Sequence, residues 1–296
     1  MRRPISLNEC LIAFLVFAHL CLAVTLPAHA GAIRAGFNST EFLPNDDGTY
    51  PANGLGSGIP SGTPVAQSLG LTANFFGLSF TSTYINNNGN ITFDSPLSTF
   101  TPFDLTSTSR QIITPFFADV DTRFAGDTVK FGTGTVDSRN AFGVNWINVD
   151  YFASSLSHTN RNSFQLVLVD RSDTGTGNFD IEFNYDKIQW EAGTASDGNA
   201  NGLGGSCARA GFSNGTGNPG TSFELSGSAV CGSFLDGNMD AGLIHNSLNS
   251  DVLGRYVFFA RNGAVETVVP EPATFLLLGS GLVGLGGVAW RRQRRK

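Results

Sequence analysis

The chain has 296 residues, 14% of them charged and 41% hydrophobic, with 36 glycines and 25 phenylalanines against 2 methionines. Between residues 31 and 270 there are 11 Lys and Arg against 22 Asp and Glu, a net charge of −11. So acidic and lysine-poor a body excludes nucleic acid and anionic membrane surfaces as partners, and suits solubility, cations or neutral glycans.

Met1-Arg2-Arg3, the apolar run Leu11 to Val24 and Ala28-His29-Ala30 have the order of a secretory signal peptide over residues 1–30, cut after Ala30. Residues 31–72, rich in Gly, Pro, Asn and Ser, read as a loop-rich segment packed on the body, with Phe37, Phe42 and Leu43 able to dock. Residues 73–262 form the main domain. Asn74 to Ser82 alternates loosely as a strand. Asn86-Asn87-Asn88-Gly89 between Tyr84-Ile85 and Ile91-Thr92-Phe93 predicts a hairpin, with a type I′ turn that needs positive φ at both central residues. Ile112 to Ala118 (IITPFFA) is too short for a membrane and too apolar for a surface strand. It reads as a central strand or as apolar loop packing, with Pro115 marking a strand start, an edge or a bulge.

Further on, Asp127 to Gly132 is a short strand candidate. Ala141 to Phe152 is a better one: Phe142, Val144 and Trp146 share one face and Ile147, Val149 and Tyr151 the other, which places a bulge near Trp146-Ile147. Phe164 to Val169 (FQLVLV) reads as a strand covered on both faces. Phe179, Ile181, Phe183 and Tyr185 alternate with Asp180, Glu182, Asn184 and Asp186, the pattern of a half-buried strand with an acidic outer face. Asp173 to Asn178 is turn chemistry that makes an antiparallel pair with the strand before it. Ala192 to Gly220 reads as one long Gly/Asn/Ser-rich loop, and Thr221 to Ser226 and Arg255 to Ala260 as the last strands. With no sustained helical period between the termini, the fold class is all-β: an antiparallel β-sandwich with long Gly/Asn-rich loops and aromatic packing between two sheets. Residues 263–272 are a linker ending in Val269-Pro270-Glu271-Pro272. Residues 273–290 are just long enough for a transmembrane helix, and the basic residues 291–296 hold the C-terminus in the cytoplasm.

Cys10 and Cys21 fall in the signal peptide, leaving Cys207 and Cys231. An even pair in an exported chain reads as one disulfide, worth roughly 3 kcal/mol for a loop of this length. The alternative is two separately used thiols.

Tyr84 to Phe93 (YINNNGNITF), Ile113 to Thr122 (ITPFFADVDT), Asn162 to Leu168, Phe183 to Trp190, Ala210-Gly211-Phe212 and Gly254 to Phe258 follow one another in a recognisable order. On these residues the chain from about Thr83 to Ala260 resembles the nidogen extracellular (NIDO) domain. Phe117 stands where animal domains more often have Trp, and the stretch from Ala192 to Cys207 is longer than the family pattern. The resemblance implies a domain of extracellular matrix and surface proteins. The tail, Val269-Pro270-Glu271-Pro272 followed by an apolar span and a basic end, resembles the PEP-CTERM sorting signal of bacterial exported proteins. That implies an exosortase-type membrane protease as partner. It also implies an inner-membrane-anchored precursor that is then released or attached at the surface of a Gram-negative, exopolysaccharide-making bacterium. An ordinary single-pass anchor is the other reading of the span.

Few constellations carry chemistry. Asp119 and Asp121, two apart, share a side of a strand near Asp127 and the Asn86 to Asn90 turn, and oxygen ligands in an acidic exported protein fit calcium. Turn capping or pairing with Arg110 or Arg123 is the simpler account. Asp236, Asn238 and Asp240 alternate like a calcium loop but lack the downstream Glu. Gly211-Phe212-Ser213-Asn214-Gly215 matches G-x-S-x-G with His245 downstream, yet lacks the strand-to-helix setting of a nucleophile elbow. The single Asp173-Thr174-Gly175 lacks a second carboxylate, and His158 and His245 are isolated. Trp146, Trp190 and Tyr185 either stack on sugar rings or belong to the core. The sequence thus predicts a non-enzymatic surface or matrix protein without a required cofactor, acting in adhesion or scaffolding with exopolysaccharide or other surface proteins. A carbohydrate-binding module is the alternative and a Ser213 hydrolase a remote third.

Overall fold

The computed structural model describes residues 31–47, 64–123, 126–153 and 158–266. The signal peptide, the cleavage position after Ala30, the Val269-Pro270-Glu271-Pro272 motif and the expected transmembrane helix lie outside them. Among the described residues no helix is long and apolar enough to cross a membrane.

The described residues hold fourteen strands in chain order: β1 Thr40–Glu41, β2 Gln67–Phe75, β3 Leu78–Asn86, β4 Asn90–Thr92, β5 Gln111–Phe117, β6 Val120–Asp121, β7 Lys130–Val136, β8 Arg139–Tyr151, β9 Asn162–Asp170, β10 Phe179–Lys187, β11 Arg209–Asn214, β12 Ser222–Glu224, β13 Arg255–Arg261 and β14 Ala264–Glu266. They form two antiparallel sheets. One has the order β1-β7-β8-β9-β10-β13-β14 with β6 added against β8, and the other the order β12-β11-β5-β4-β3-β2. The sheets face each other across a phenylalanine-rich core. Phe116 of β5 lies 5.2 Å from Phe164 of β9, which stacks on Trp146 of β8, and Phe212 of β11 meets Phe258 of β13 edge-on at 5.3 Å.

Local chemistry explains most elements. Val149 and Tyr151 would face away from Trp146 in regular alternation, but a bulge between Trp146 and Val149, with Asn148 at φ 56°, returns both to the same core. Pro115 has no N–H to donate and sits in the bulge where β5 slips against β11 between Thr114 and Phe117. The β3–β4 connection is a hairpin, as expected, but not type I′. Asn86 pairs with Asn90 around a three-residue loop in which only Gly89 has positive φ, 74°. Gly89 also touches the Phe116 carbonyl so closely that any Cβ would overlap it.

Three expectations are corrected. Asn74 to Ser82 is not one strand: the chain turns at Phe76-Gly77 between β2 and β3, and β2 begins at Gln67 with Leu69, Leu71, Ala73 and Phe75 turned inward. The 192–220 stretch contains β11, which lies inside a sheet between β5 and β12. The acidic face of β10 is covered at Asp180, Glu182 and Asn184, and only Asp186 near its end is exposed. The N-terminal segment crosses that side, with Phe37 packed on Val136, Ala141, Val167 and Val169 in the space Gly143 leaves. Beneath it, Glu182 pairs with Arg34, Asp180 with Arg171 and Arg261, and Asn184 accepts from Arg255 and donates to Gln165. Phe42 also docks in the core, whereas Leu43 is 53% exposed.

Candidate functional site

The β3–β4 loop is built of polar residues, yet Asn86, Asn87, Asn88 and Asn90 are all fully buried. Each side-chain NH2 group donates inside the fold. Asn86 Oδ1 accepts from Asn45 Nδ2 and Leu97 N, and its Nδ2 donates to Asn90 Oδ1 and Thr92 Oγ1. Asn87 N donates to Asn45 Oδ1, its Nδ2 to the Asp47 and Val120 carbonyls, and its own carbonyl accepts from Trp146 Nε1. Asn88 Nδ2 donates to Asp46 Oδ2 at 2.7 Å while its Oδ1 accepts from Val120 N. The loop therefore ties together the N-terminal segment, the core tryptophan and the passage from β5 to β6.

That passage carries Asp119. β5 belongs to one sheet and β6 pairs with β8 of the other, so Asp119 sits where the chain crosses between layers. It is 1% exposed and lies against Gly193, where a Cβ would collide with its carboxylate. Neither carboxylate oxygen has a hydrogen-bond partner, and nor does Asn87 Oδ1. Ligand oxygens of Asp46, Asp47 and Asp119 lie within 4.8 Å of one another, the one such carboxylate group among the described residues. Burial first, then repulsion from Asp47, Asp46 and Asp121, pushes the Asp119 carboxyl up to about 8. Burial and the neighbouring Asp46 push Asp47 up to about 6, and burial raises Asp46 against the hydrogen bond from Asn88. Of the two aspartates expected to share a face, Asp119 thus joins Asp46 and Asp47. Asp121 is held instead by the Arg123 guanidinium at 2.8 Å, which also lies 3.4 Å from Asp47 and stacks over Phe152. Arg110 pairs with Asp94. Sequence reasoning missed Asp46 and Asp47 altogether. Their only local signal is a pair of adjacent acids in a loop, and their partner is far along the chain.

The other singled-out residues have structural duties. Trp146 and Trp190 are 0% exposed and Tyr185 1%, so the glycan-stacking reading of these rings is corrected: all three are core. Ser213 is buried in β11, where its Oγ accepts from Gly215 N, and His245 Nε2 meets the Asp236 carbonyl at 2.7 Å. Among the described residues no hydrogen bond joins Ser213 to a histidine. Asp236 Oδ1 accepts from Ile188 N, and Asn238 Oδ1 accepts from Asp240 N and Ala241 N, so that stretch caps turns. Asp173 pairs with Arg139 and Arg171, and His158 with Asp150. Cys207 and Cys231 form a disulfide. Beside it Glu191 accepts from Gly232 N and Phe234 N, pinning the loop a second time.

Sequence comparison gives the family: the model of the nidogen-like domain matches residues 81–262. The chain belongs to the nidogen-like domain family. The nidogen-like region thus starts within β3 and ends just past β13, and takes in most strands of both sheets but not β1, β2 or β14. The PEP-CTERM protein-sorting motif matches residues 268–295. Among curated proteins, alpha-tectorin of Mus musculus is 37% identical over 180 residues, 53% of this chain and 8% of the relative. Alpha-tectorin of Gallus gallus is 33% identical over 217 residues, 66% of this chain and 10% of the relative. The chain therefore spans a tenth or less of these relatives' length. No solved structure matches. The nidogen-like body and the sorting motif together mark an exported protein sorted to the surface.

Proposed function

We propose that this chain is a non-enzymatic surface or matrix protein of a Gram-negative bacterium. Its nidogen-like sandwich serves in adhesion or scaffolding within an exopolysaccharide matrix. An exosortase-type membrane protease removes its tail from an inner-membrane-anchored precursor. The observation that carries this reading is adjacency in the chain: the last described strand ends at Glu266 and the sorting motif begins at residue 268, so one residue separates them in sequence. The family supports a binding rather than a catalytic role, and so do the duties of Ser213, His245 and Asp173, which cap turns or pair with arginine.

Deleting Val269 to Lys296 tests the sorting half. The truncated chain should be exported yet fail to be retained at the surface and in the matrix, and normal retention would discard the sorting role. The binding half is tested by co-sedimenting the purified body with the producer's own exopolysaccharide and with cells stripped of it. Binding to neither would discard adhesion and scaffolding alike.

A further inference from the structure

We propose that Asp46, Asp47 and Asp119 bind one hard divalent cation of the calcium class, which fastens the N-terminal segment to the point where the chain crosses between the sheets. Their ligand oxygens lie within 4.8 Å of one another. At calcium's bond length of roughly 2.3–2.6 Å, two oxygens on one ion are at most about 4.6–5.2 Å apart and three spread evenly about it roughly 4.0–4.5 Å, so a small closure of the cluster brings the three into a single coordination sphere.

Crowded acids alone do not make a site. The independent observation is the Asp119 side chain: it is 1% exposed, aimed into the cluster, and neither oxygen receives a hydrogen bond. A buried carboxylate normally accepts from several donors, because each unfilled lone pair lost its water on folding. The nearby Arg123 bonds to Asp121 and lies beside Asp47, and it makes no hydrogen bond to Asp119. Asn87, whose Nδ2 donates to the Asp47 and Val120 carbonyls, carries a further buried oxygen without a partner, Oδ1. Calcium takes six to eight oxygens, waters among them, and Asp46 and Asp47 are only half-buried, so water can complete the shell. Zinc prefers His and Cys, which the cluster lacks. Magnesium needs ligands at roughly 2.0–2.1 Å in a stricter octahedron.

The consequence is mechanical. Asp46 is tied to Asn88, and Asn88 to Val120, so the ion would close a ring of contacts already drawn by the asparagine loop. The N-terminal segment would then be locked in place only outside the cell, where calcium is plentiful.

The test uses the purified chain in chelator, in 10 mM Ca²⁺ and in 10 mM Mg²⁺. Isothermal titration should find one Ca²⁺ per chain. For a dissociation constant of ~10⁻⁴ M, the melting temperature in Ca²⁺ should rise by roughly 5–11 °C over chelator, with a smaller rise in Mg²⁺. Amide exchange at Asn45 to Asp47 should slow in Ca²⁺. Asp119→Asn keeps the shape and takes away the anionic ligand, so it should melt close to wild type in chelator, with the Ca²⁺ response gone. Asp240→Asn, in the turn-capping stretch, should keep the full response. Equal melting of wild type in chelator and Ca²⁺, or a response that survives Asp119→Asn or vanishes in Asp240→Asn, would overturn the assignment. None of these outcomes bears on tail-directed sorting, which is measured separately.

Discussion

Asn86→Asp changes one atom of the buried asparagine loop and asks whether its hydrogen bonds are real. The Oδ1 side is unaffected, because a carboxylate still accepts from Asn45 and Leu97. The Nδ2 side reverses. An oxygen now faces Asn90 Oδ1 and Thr92 Oγ1, where the native amide donated at 2.8 and 3.0 Å. Neither neighbour can adapt cheaply: the Thr92 hydroxyl already donates to the Ser95 carbonyl at 2.6 Å, and Asn90 Nδ2 to the Asn88 carbonyl. Two bonds are lost and two acceptors left facing an acceptor, at about 1–3 kcal/mol each, or roughly 2–6 kcal/mol together. For a domain of this size each kcal/mol moves Tm by about 2–4 °C, so the centre of the range is a fall of ~12 °C. The new carboxyl titrates high in this setting, since burial disfavours its charge. Its protonated form recovers one donor, so the deficit should be larger at pH 8 than at pH 5. Circular-dichroism melts at the two pH values measure both effects. A Tm within about 2 °C of wild type at pH 8, on the same scale, would mean that the loop is not buried as described.

Cys207→Ser with Cys231→Ser should cost roughly 3 kcal/mol, a fall of about 6–12 °C in thermal melts, and reductant should bring wild type to the same value but leave the variant unmoved. Gly89→Ala meets both the left-handed backbone, at about 1–2 kcal/mol, and overlap with the Phe116 carbonyl, so denaturant unfolding should show a loss above ~2 kcal/mol. A neutral effect would contradict the β3–β4 loop geometry. Glu191 has its folded pKa raised from the ordinary 4.5 by burial, against its two backbone hydrogen bonds. A group held protonated by the fold contributes stability that is full below that ordinary value and is lost as pH rises through the folded value. Glu191→Gln should therefore flatten the decline in Tm between pH 4.5 and neutrality, and an unchanged slope would show that Glu191 does not titrate in that window.

What was legible in the sequence was what neighbours in the chain decide. Turn chemistry at Asn86 to Gly89 and Asp173 to Asn178 fixed the hairpins, alternation from Phe179 to Tyr185 fixed the register of β10, and the slip at Trp146-Ile147 announced its bulge. The pairing of the two cysteines needed only their number and the export signal. β2 was hidden because Gly70 and Asn74 look like turn residues although they occupy its outer face, and β11 because six residues set among glycines give too short a run to show a period.

Only the tertiary structure decided what covers what. Whether β10 shows its acids to water depends on Arg34, Arg171 and Arg261, and whether an asparagine loop is a surface turn or a buried hub depends on Asn45 and Trp146. Asp119 looked like the partner of Asp121, its neighbour two residues on. Folding brings it instead to Asp46 and Asp47, because the chain changes sheets at that residue and the N-terminal segment returns across the crossing. Periodicity encodes which way a side chain points from its own strand, but not which distant charge it will meet there.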